Sequence, residues 1–410
     1  MKQFSMLIFS VSLFLINVFG QFSLNLDVSA LYDDNLFRSP YIYEDILIDI
    51  DTRFSYRFLD NKLNIYYNPE FIQYRDYSDR NFSLHSAGVE YYKEFGSDQQ
   101  NSLYTGGNYL MRINGDIYDF YNYNQLYIYT GIRLDLDAFF LKTGYNFRYR
   151  YYLDSDYSSL TNQRHSLFVQ LNKSFPSRTS LILEGKIGNK SFNGIRIYTT
   201  YHDGSNSPDD DGGRRGRGYG DDNVLGVSDI TNISSTTATD VITLEPPDLT
   251  QFVMIARIAQ SVMPKMGIYF QYRWQTSLTS QVNYYNSDAY FQDEELFDDP
   301  FSYESNDISS QLTWMLPGLF KLKLGGAVAA KNYISEQAYV SEMDSTGMGG
   351  LRSDDLQSIH CSISKILRIK KVWLYSIILE LSYSYQKNKS NSFWYNYKNS
   401  FYSFGIKWNI

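Results

Sequence analysis

The final stretch of this chain, Tyr402-Ser403-Phe404-Gly405-Ile406-Lys407-Trp408-Asn409-Ile410, decides its fold. Large apolar residues stand at every second position, and the residues between them are small or polar. A period of two is that of a β-strand with one apolar face and one polar face. A strand of this kind at the end of a chain predicts the closing strand of a transmembrane β-barrel.

The beginning of the chain has the composition of an export signal. Lys2 precedes a mostly apolar stretch from Phe4 to Phe19, and Val18-Phe19-Gly20 supplies modest or small residues for cleavage. The apolar stretch is shorter than the ~20 residues that a membrane-spanning helix needs. We therefore expect residues 1–20 to be a cleaved signal peptide and 21–410 to form the barrel; a retained anchor is the alternative.

The composition suits a membrane protein that spans with strands. The 410 residues include 39 Tyr and 27 Phe, yet the mean hydropathy is only -0.38 and the formal net charge is -8. No stretch after residue 20 is long and apolar enough for a membrane-spanning helix. Tyrosine suits the aromatic girdles of barrels. The single cysteine, Cys361, excludes an intramolecular disulfide framework and a cysteine-based metal cluster.

The alternation recurs along the chain. In residues 46–58 the even positions are mostly apolar, and the odd positions include Asp49, Asp51, Arg53 and Arg57. Similar alternation is found in residues 139–151, 268–276 and 373–385. A soluble β-sandwich also alternates, but so many charges opposite so much apolar surface favour a water-filled interior and a lipid exterior.

Short and long connections alternate between the predicted strands. The short ones lie near residues 59–61, 96–101, 135–137, 174–178, 263–266, 316–318 and 368–371. The long ones lie near residues 32–45, 75–81, 114–122, 152–163, 193–248, 279–304, 335–353 and 387–397. Short periplasmic turns and long external loops predict an antiparallel up-and-down barrel of about 16 strands, with both termini periplasmic. Residues 82–95 and 354–367 alternate poorly, which leaves about 14 or about 18 strands open.

A distinctive motif follows the first predicted strand. Tyr32-Asp33-Asp34-Asn35-Leu36-Phe37-Arg38 resembles the Tyr-Asp-x-Asn-aliphatic-aromatic-Arg signature of the β-barrel porin 2 family. The turn Ser174-Phe175-Pro176-Ser177-Arg178 is also similar to a recurrent turn of such barrels. The resemblance implies an outer-membrane barrel with a porin-like function. Ile410 departs from the aromatic residue, usually Phe, that ends many such barrels.

Two interpretations of the Tyr32–Arg38 motif compete. In the first interpretation, Asp33, Asp34 and Asn35 supply oxygen atoms that bind a ligand or an ion at the outer rim. The favoured alternative is a rim turn, because Asp and Asn side chains bond to nearby backbone. In that case the aromatic residues of the motif anchor at the membrane interface.

Charges on the lumen wall carry the hypothesis about selectivity. The basic residues expected to face inward are Arg53, Arg57, Arg112, Arg133, Lys142, Arg148, Arg150, Lys186, Arg273, Lys321, Lys323, Lys331 and Lys407. The acidic ones are Asp27, Asp49, Asp51, Glu70, Glu184, Asp307 and Glu380. From these we select as pore-lining candidates Asp49, Asp51, Arg53, Arg57, Arg148, Arg150, Arg273, Lys321 and Lys323.

Two hypotheses follow from this wall. A net basic wall would favour anionic solutes, because rings of charge tune the selectivity of a pore. Alternatively, opposite charges pair across neighbouring strands and leave no net field. In that case Asp49 and Asp51 would neutralise Arg53, Arg57 or Lys407.

The long loop 193–248 is the second candidate region. Arg214, Arg215 and Arg217 are candidates for a constriction if this loop folds into the lumen and meets acidic residues there. The run Asp209-Asp210-Asp211 lacks the alternating ligands and the closing acid of a calcium loop. The high Gly and charge content favours a solvated external loop. We expect no nucleic-acid partner for this exported, acidic protein.

Catalytic motifs are missing from the sequence. The four histidines, His85, His165, His202 and His360, lie in neither Gly-x-Ser-x-Gly nor His-Glu-x-x-His. His202-Asp203 is the one rim candidate for a hydrolase. Strand-like alternation begins at Phe22, so we expect no plug domain before the barrel.

Three functions remain, and the favoured one is a porin for passive diffusion of small hydrophilic solutes or ions. The second is a non-conducting barrel whose long loops bind or guide a surface polysaccharide or a secreted partner. A hydrolase comes last, so we expect no enzyme, no cofactor and no metal. The expected location is the bacterial outer membrane.

The expected partners are outer-membrane lipid, the barrel-assembly machinery that would bind strand 402–410, and small solutes. A homo-oligomer would pack through a patch of small residues, namely Gly325, Gly326, Ala327, Ala329 and Ala330.

Overall fold

The structure, a computed structural model, describes residues 22–97, 99–154, 160–192, 196–200, 240–244, 248–279, 300–344, 347–371 and 374–409. The expected signal peptide and most of loop 193–248 lie outside these residues. Short 3₁₀ segments occur at Ser78–Arg80, Asp116–Tyr121, Pro317–Leu319 and Phe393–Tyr395. Within the described ranges, no helix combines the length and the hydrophobicity of a membrane span.

The remaining regular structure is β-strand. The strands are β1 Phe22–Asp33, β2 Asp45–Phe58, β3 Leu63–Tyr74, β4 Phe82–Phe95, β5 Asn101–Asn114, β6 Tyr123–Asp135, β7 Phe140–Tyr152, β8 Asn162–Ser174, β9 Thr179–Phe192, β10 Arg196–Thr200, β11 Asp240–Leu244, β12 Leu249–Met263, β13 Met266–Ser277, β14 Tyr303–Leu316, β15 Phe320–Gln337, β16 Leu351–Lys371, β17 Leu374–Ser390 and β18 Tyr397–Asn409.

Sixteen of the described strands close into one antiparallel barrel. Each strand pairs with its neighbours in the chain, except that β9 pairs with β12, and β10 and β11 form a separate two-stranded sheet. The barrel closes between β1 and β18, in a register that runs from Asn25 opposite Asn409 to Asp33 opposite Phe401. The predicted fold class, the count of about 16 strands and the closing role of the C-terminal strand are confirmed.

The connections divide the barrel into two ends. At one end, which we call the turn end, β-strands are joined by segments as short as 264–265 and 317–319. At the other, the loop end, they are joined by longer segments such as 34–44 and 338–350. One of the turns requires a left-handed backbone at Gly318, where φ is 76°, a conformation that glycine adopts without steric cost. The predicted alternation of short and long connections is confirmed.

The outer face of the barrel wall is apolar and the inner face is polar, as the period of two in the sequence predicts. On β2, the apolar side chains of Ile46, Ile48 and Phe54 are exposed on the outer face. The inner face is concave, since it brings together side chains two strands apart: Arg53 of β2 contacts Glu90 of β4 at 3.2 Å, and His360 of β16 contacts Gln311 of β14 at 3.2 Å. An apolar outer band around a polar inner wall is the arrangement of a transmembrane barrel.

Candidate functional site

All nine residues selected as pore-lining candidates lie on the inner face of the barrel wall, as the strand register shows. They do not form one cluster, because they are distributed over strands β2, β7, β13 and β15. The three loop candidates, Arg214, Arg215 and Arg217, lie outside the described residues. That the nine side chains line a conducting pore stays a prediction.

Acidic side chains concentrate on the inner face of β1 to β3. Asp27 stands directly opposite Asp51, and Asp51 stands directly opposite Glu70, so three carboxyl groups form one row across three strands. The Nδ2 of Asn68 donates to Oδ1 of Asp51 at 2.9 Å. Asp49 lies on the same face of β2, opposite Ser29. We call Asp27, Asp51 and Glu70 the acidic row.

Basic side chains concentrate six strands further around the wall. Arg148 of β7 stands directly opposite Arg164 of β8, which stands opposite Lys190 of β9. We call these three residues the basic row. Like charges that stand directly opposite each other destabilise a sheet by roughly 0.2–1 kcal/mol per pair. The lumen wall is therefore divided into acidic and basic sectors.

Part of the wall is neutralised by ion pairs, as the second hypothesis expected, but with other partners. Arg53 pairs with Glu90 at 3.2 Å rather than with Asp49 or Asp51. Arg273 Nη1 lies 3.4 Å from Oδ2 of Asp307. These two pairs join neighbouring or next-nearest strands, and neither of them includes a residue of the acidic or the basic row.

The other candidates named here belong to neither row and to neither of these two ion pairs. Arg150 is buried, donates from Nε to Oε1 of Gln125 at 3.2 Å and stacks 4.1 Å from the ring centroid of Tyr123. Lys321 and Lys323 stand opposite Met315 and Thr313 on the inner face of β15. Arg57 is exposed at the turn end of β2.

A segment that the sequence did not mark folds into the lumen. The amide nitrogens of Gln251 and Gln275 donate to the carbonyl oxygens of Pro300 and Tyr303, in the case of Gln275 at 2.6 and 2.9 Å. Both glutamines lie on the inner face of β12 and β13. The ring of Phe301, which is 2% exposed, reaches the inner face of β9. We call residues 300–303 the inward segment.

The contact of Phe301 with the wall depends on a glycine. A Cβ atom added to Gly188 would lie 3.0 Å from Cζ of Phe301, which is closer than ordinary contact. The guanidinium of Arg164 stacks 4.5 Å from the centroid of the same ring. The inward segment therefore spans the wall from β14 to β8. Loop 193–248, the candidate constriction named from the sequence, lies mostly outside the described residues, and its entry into the lumen stays a hypothesis.

Tyrosine rings occupy the inner face between the acidic and basic sectors. The ring centroids of Tyr127 and Tyr129 on β6 are 5.7 Å apart, and Tyr104 on β5 lies 6.4 Å from Tyr129. We call these three residues the tyrosine platform. The alternation of the sequence gives their orientation, but the pore-lining candidates were selected for charge, and these three residues are uncharged.

The Tyr32–Arg38 motif forms a turn that ties the first loop to the last strand. The buried side chain of Asn35 donates to the carbonyl oxygens of Ser39 at 2.8 Å and Lys398 at 3.0 Å. Asp33 accepts the backbone N–H of Asn35 at 2.8 Å, and Asp34 accepts that of Ser400 at 2.6 Å. Backbone donors of the protein therefore bond to Oδ1 of Asp33 and Oδ1 of Asp34, which supports the rim-turn interpretation.

The motif also contributes to an aromatic cluster at the loop end. Phe37 packs edge-on against Tyr43 and Tyr77, with ring centroids 5.1 and 5.4 Å apart. The buried guanidinium of Arg80 stacks 4.5 Å from the Phe37 ring centroid. Burial lowers the pKa of Arg80, because the charged form loses hydration there.

The described histidines bond to neutral side chains. His85 Nδ1 lies 2.8 Å from the hydroxyl of Tyr67, and His165 Nδ1 lies 2.6 Å from that of Tyr145, both on the outer face. His360 faces inward and contacts Gln311. Gln311 carries no hydroxyl or thiol that a base could activate, and the two His–Tyr pairs lie on the outer, apolar face of the wall. His202 lies outside the described residues.

The expected oligomer patch is divided between the two faces of the wall. The register of β15 places Gly325, Ala327 and Ala329 inward, opposite Gln311, Ser309 and Asp307. Gly326 and Ala330 alternate with them and face outward. The period of two therefore contradicts a single outward patch made of all five residues.

Comparisons with known proteins give similarity in architecture only. No family model and no curated protein matches the chain. Among solved structures, a bacterial polysaccharide outer membrane secretin has a TM-score of 0.49 and 9% identity, over 94% of this chain and 98% of that chain. OccK8 (OprE) of Pseudomonas aeruginosa has a TM-score of 0.46 and 9% identity, over 95% and 98%.

A third structure gives the same result. OccAB1 of Acinetobacter baumannii has a TM-score of 0.46 and 10% identity, over 95% of this chain and 96% of that chain. In overall architecture, the chain is similar to bacterial outer-membrane barrels. At these identities the similarity transfers no function, and the resemblance to the β-barrel porin 2 family stays a prediction.

Proposed function

We propose that this protein is an outer-membrane pore through which small hydrophilic solutes or ions diffuse passively. The observation that carries the proposal is the closed sixteen-stranded barrel with an apolar outer band and a charged inner wall. Charged side chains on a concave wall are stable when water fills the lumen, whereas a dry interior would impose a large desolvation cost. A barrel of this strand number is wide enough for an aqueous channel.

The charge pattern supports a moderate selectivity. The acidic row on β1 to β3 and the basic row on β7 to β9 lie on separate sectors of the wall. Rings and rows of charge tune the passage of ions through a pore. Because both signs are present, we propose a weaker ion preference than a uniformly basic wall would produce.

The experiment is planar-bilayer conductance of the refolded protein, residues 21–410, with the reversal potential measured in a KCl gradient. Stable conductance steps are the expected result. A correctly folded barrel that conducts no current would contradict the pore. Heat-dependent mobility in SDS gels establishes that the tested sample is folded.

One observation favours a second function. The inward segment 300–303 lies against the inner wall and narrows the lumen at the loop end. A barrel narrowed further by its own loops would not conduct, and would instead bind or guide a surface polysaccharide or a secreted partner. Silence of the folded barrel, followed by conductance of the Phe301→Ala variant, would show that the inward segment closes the lumen, as this second function requires.

A further inference from the structure

The tyrosine platform has features that passive diffusion does not require. Tyr104, Tyr127 and Tyr129 are each partly exposed on the concave inner wall. The planes of Tyr127 and Tyr129 are inclined by 35°, and those of Tyr104 and Tyr129 by 39°. The three rings therefore present a continuous, gently curved aromatic surface to the lumen.

Packing over glycine explains two of the three rings. A Cβ atom at Gly106 would lie 2.6 Å from the hydroxyl of Tyr129, and one at Gly131 would overlap Tyr104. Aromatic rings that cover glycines of a neighbouring strand stabilise sheets. Tyr127 has no such glycine, because its register partners are Asn108 and Arg148. Its ring needs another explanation.

Polar groups surround the platform on both sides. On one side, the Nδ2 of Asn108 donates to the hydroxyl of Tyr66 at 3.2 Å. On the other side, the Nζ of Lys142 lies 5.6 Å from the ring centroid of Tyr104, and Arg148 stands directly opposite Tyr127. The charged groups nearest the rings on that side, Lys142 and Arg148, are positive, and the acid Glu184 stands two strands beyond Lys142 in the same row.

This combination fits a saccharide with acidic groups. The C–H face of a pyranose ring is apolar and packs on an aromatic ring, while its hydroxyls need hydrogen-bond partners at the edge. Lysine and arginine form strong, charge-assisted bonds with carboxylates. An aromatic surface with basic groups at its edge provides both interactions.

We propose that the tyrosine platform binds oligosaccharides that carry carboxylate groups as they pass through the lumen. This inference rests on the proposed pore function and specifies a class of solute for it. Tyr127, whose ring covers no glycine, supplies a stacking surface at one end of the platform, and Lys142 supplies a positive charge for the carboxylates.

The first test measures the block of ion current. Oligogalacturonate is added to one side of a bilayer that contains the protein, and a neutral galacto-oligosaccharide of the same length serves as the matched probe. We expect the acidic sugar to interrupt the KCl current at a concentration about tenfold lower, a difference that corresponds to about 1.4 kcal/mol. Equal block by both sugars, or block by neither, would overturn the proposal.

Variants then separate stacking from charge. We expect Tyr127→Leu to raise the half-blocking concentration of both sugars about tenfold, and Tyr127→Phe to leave it nearly unchanged because the ring remains. Lys142→Gln should weaken block by the acidic sugar alone. Tyr109→Leu, on the outer face of β5, is the control. If the sugars half-blocked Tyr127→Leu at the same concentration as the wild type, the proposed site would be overturned.

Failure of the pore and failure of the site are distinguishable. If the folded protein forms no channels, equilibrium dialysis of oligogalacturonate against the barrel in detergent micelles measures binding directly. Binding that Tyr127→Leu weakens would support the site in a barrel that does not conduct. Absence of binding, or binding that Tyr127→Leu leaves unchanged, would overturn it.

Discussion

The Nζ of Lys407 lies 2.6 Å from Oδ2 of Asp27, so an ion pair crosses the seam at which the last strand meets the first. The same nitrogen lies 3.9 Å from Oε2 of Glu380 on β17. The side chains of Lys407 and Asp27 are 43% and 31% exposed, so the pair is in contact with solvent. Ion pairs with this exposure contribute little to stability, about 0–1 kcal/mol.

We expect Lys407→Met to shift the selectivity of the pore toward cations. The substitution removes the positive charge that offsets Asp27 of the acidic row and Glu380 of β17. The free energy of unfolding should change by less than about 1 kcal/mol. The reversal potential in a KCl gradient measures the shift. Lys398→Met, exposed elsewhere on the same strand, should leave the reversal potential unchanged. An unchanged value for Lys407→Met would contradict the charged wall.

Neutralising the basic row should also shift the selectivity of the pore toward cations. Neutralising Arg148 and Arg164 together, as the double Gln variant, should increase cation preference because two positive charges leave the lumen wall. Removal of like charges that stand directly opposite should leave stability within about 1 kcal/mol of the wild type. Asp51→Asn is the opposing variant and should move the reversal potential toward anions. If the two variants moved the reversal potential in the same direction, the division of the wall into an acidic and a basic sector would be contradicted.

The inward segment predicts an effect on conductance. Phe301→Ala removes a buried ring, and truncation of a buried Phe costs about 3–5 kcal/mol of local stability. The segment should then leave the wall, with higher single-channel conductance and larger current fluctuations. Phe175→Ala is the control, because Phe175 is 38% exposed and lies in the turn between β8 and β9, at the other end of the barrel. Conductance and noise equal to the wild type would show that the segment does not narrow the pore.

The fold was predictable because the alternation within each strand shows which of its side chains face lipid and which face water. The alternation in 46–58 and 402–410 specifies which side chains meet water, and the lengths of the connections specify how strands follow each other. These are local properties of the sequence. The same alternation placed the charged candidates, including Arg148 and Lys321, on the correct face.

The arrangement of charges around the wall was harder to predict, because it depends on register between strands. Arg53 pairs with Glu90 across an intervening strand, which only the curvature of the closed barrel permits. The inward position of Phe301 depends on Gly188 and Gln251, which are distant in the sequence. A single sequence contains no local signal that links such residues.

Alkaline pH should weaken the loop end through one tyrosine. Burial, with added repulsion from Glu336 and Asp354, raises the pKa of Tyr395. The protonated Tyr395 hydroxyl contributes its full stabilisation below the pKa of about 10 that it has in the unfolded chain. That stabilisation is lost as pH rises through the higher pKa of the folded protein. Stability measured by urea unfolding should therefore fall above about pH 10. Tyr395→Phe, which cannot ionise, should reduce the part of this fall that comes from the loop end; an identical fall would contradict the prediction.

The strongest predicted loss of stability concerns Arg352, which joins two strands and a loop segment at the loop end. Its side chain is 2% exposed and bonds to Oδ2 of Asp354 at 2.5 Å and to Oε2 of Glu336 at 2.8 Å. The guanidinium also lies between two rings, 4.0 Å from the centroid of Tyr333 and 3.3 Å from that of Tyr395. The arginine therefore connects β15, β16 and the segment after β17.

Arg352→Met should lower the free energy of unfolding by about 3–5 kcal/mol, because it leaves two acidic groups in a buried site without their counter-charge. The double variant Arg352→Met with Asp354→Leu should recover part of this loss, since fewer buried charges remain unpaired. Arg75→Met removes an arginine that is 68% exposed and should change stability by less than about 1 kcal/mol. Urea unfolding in lipid vesicles, followed by gel mobility, measures all three. Equal stability of Arg352→Met and Arg75→Met would show that the buried network does not hold the loop end.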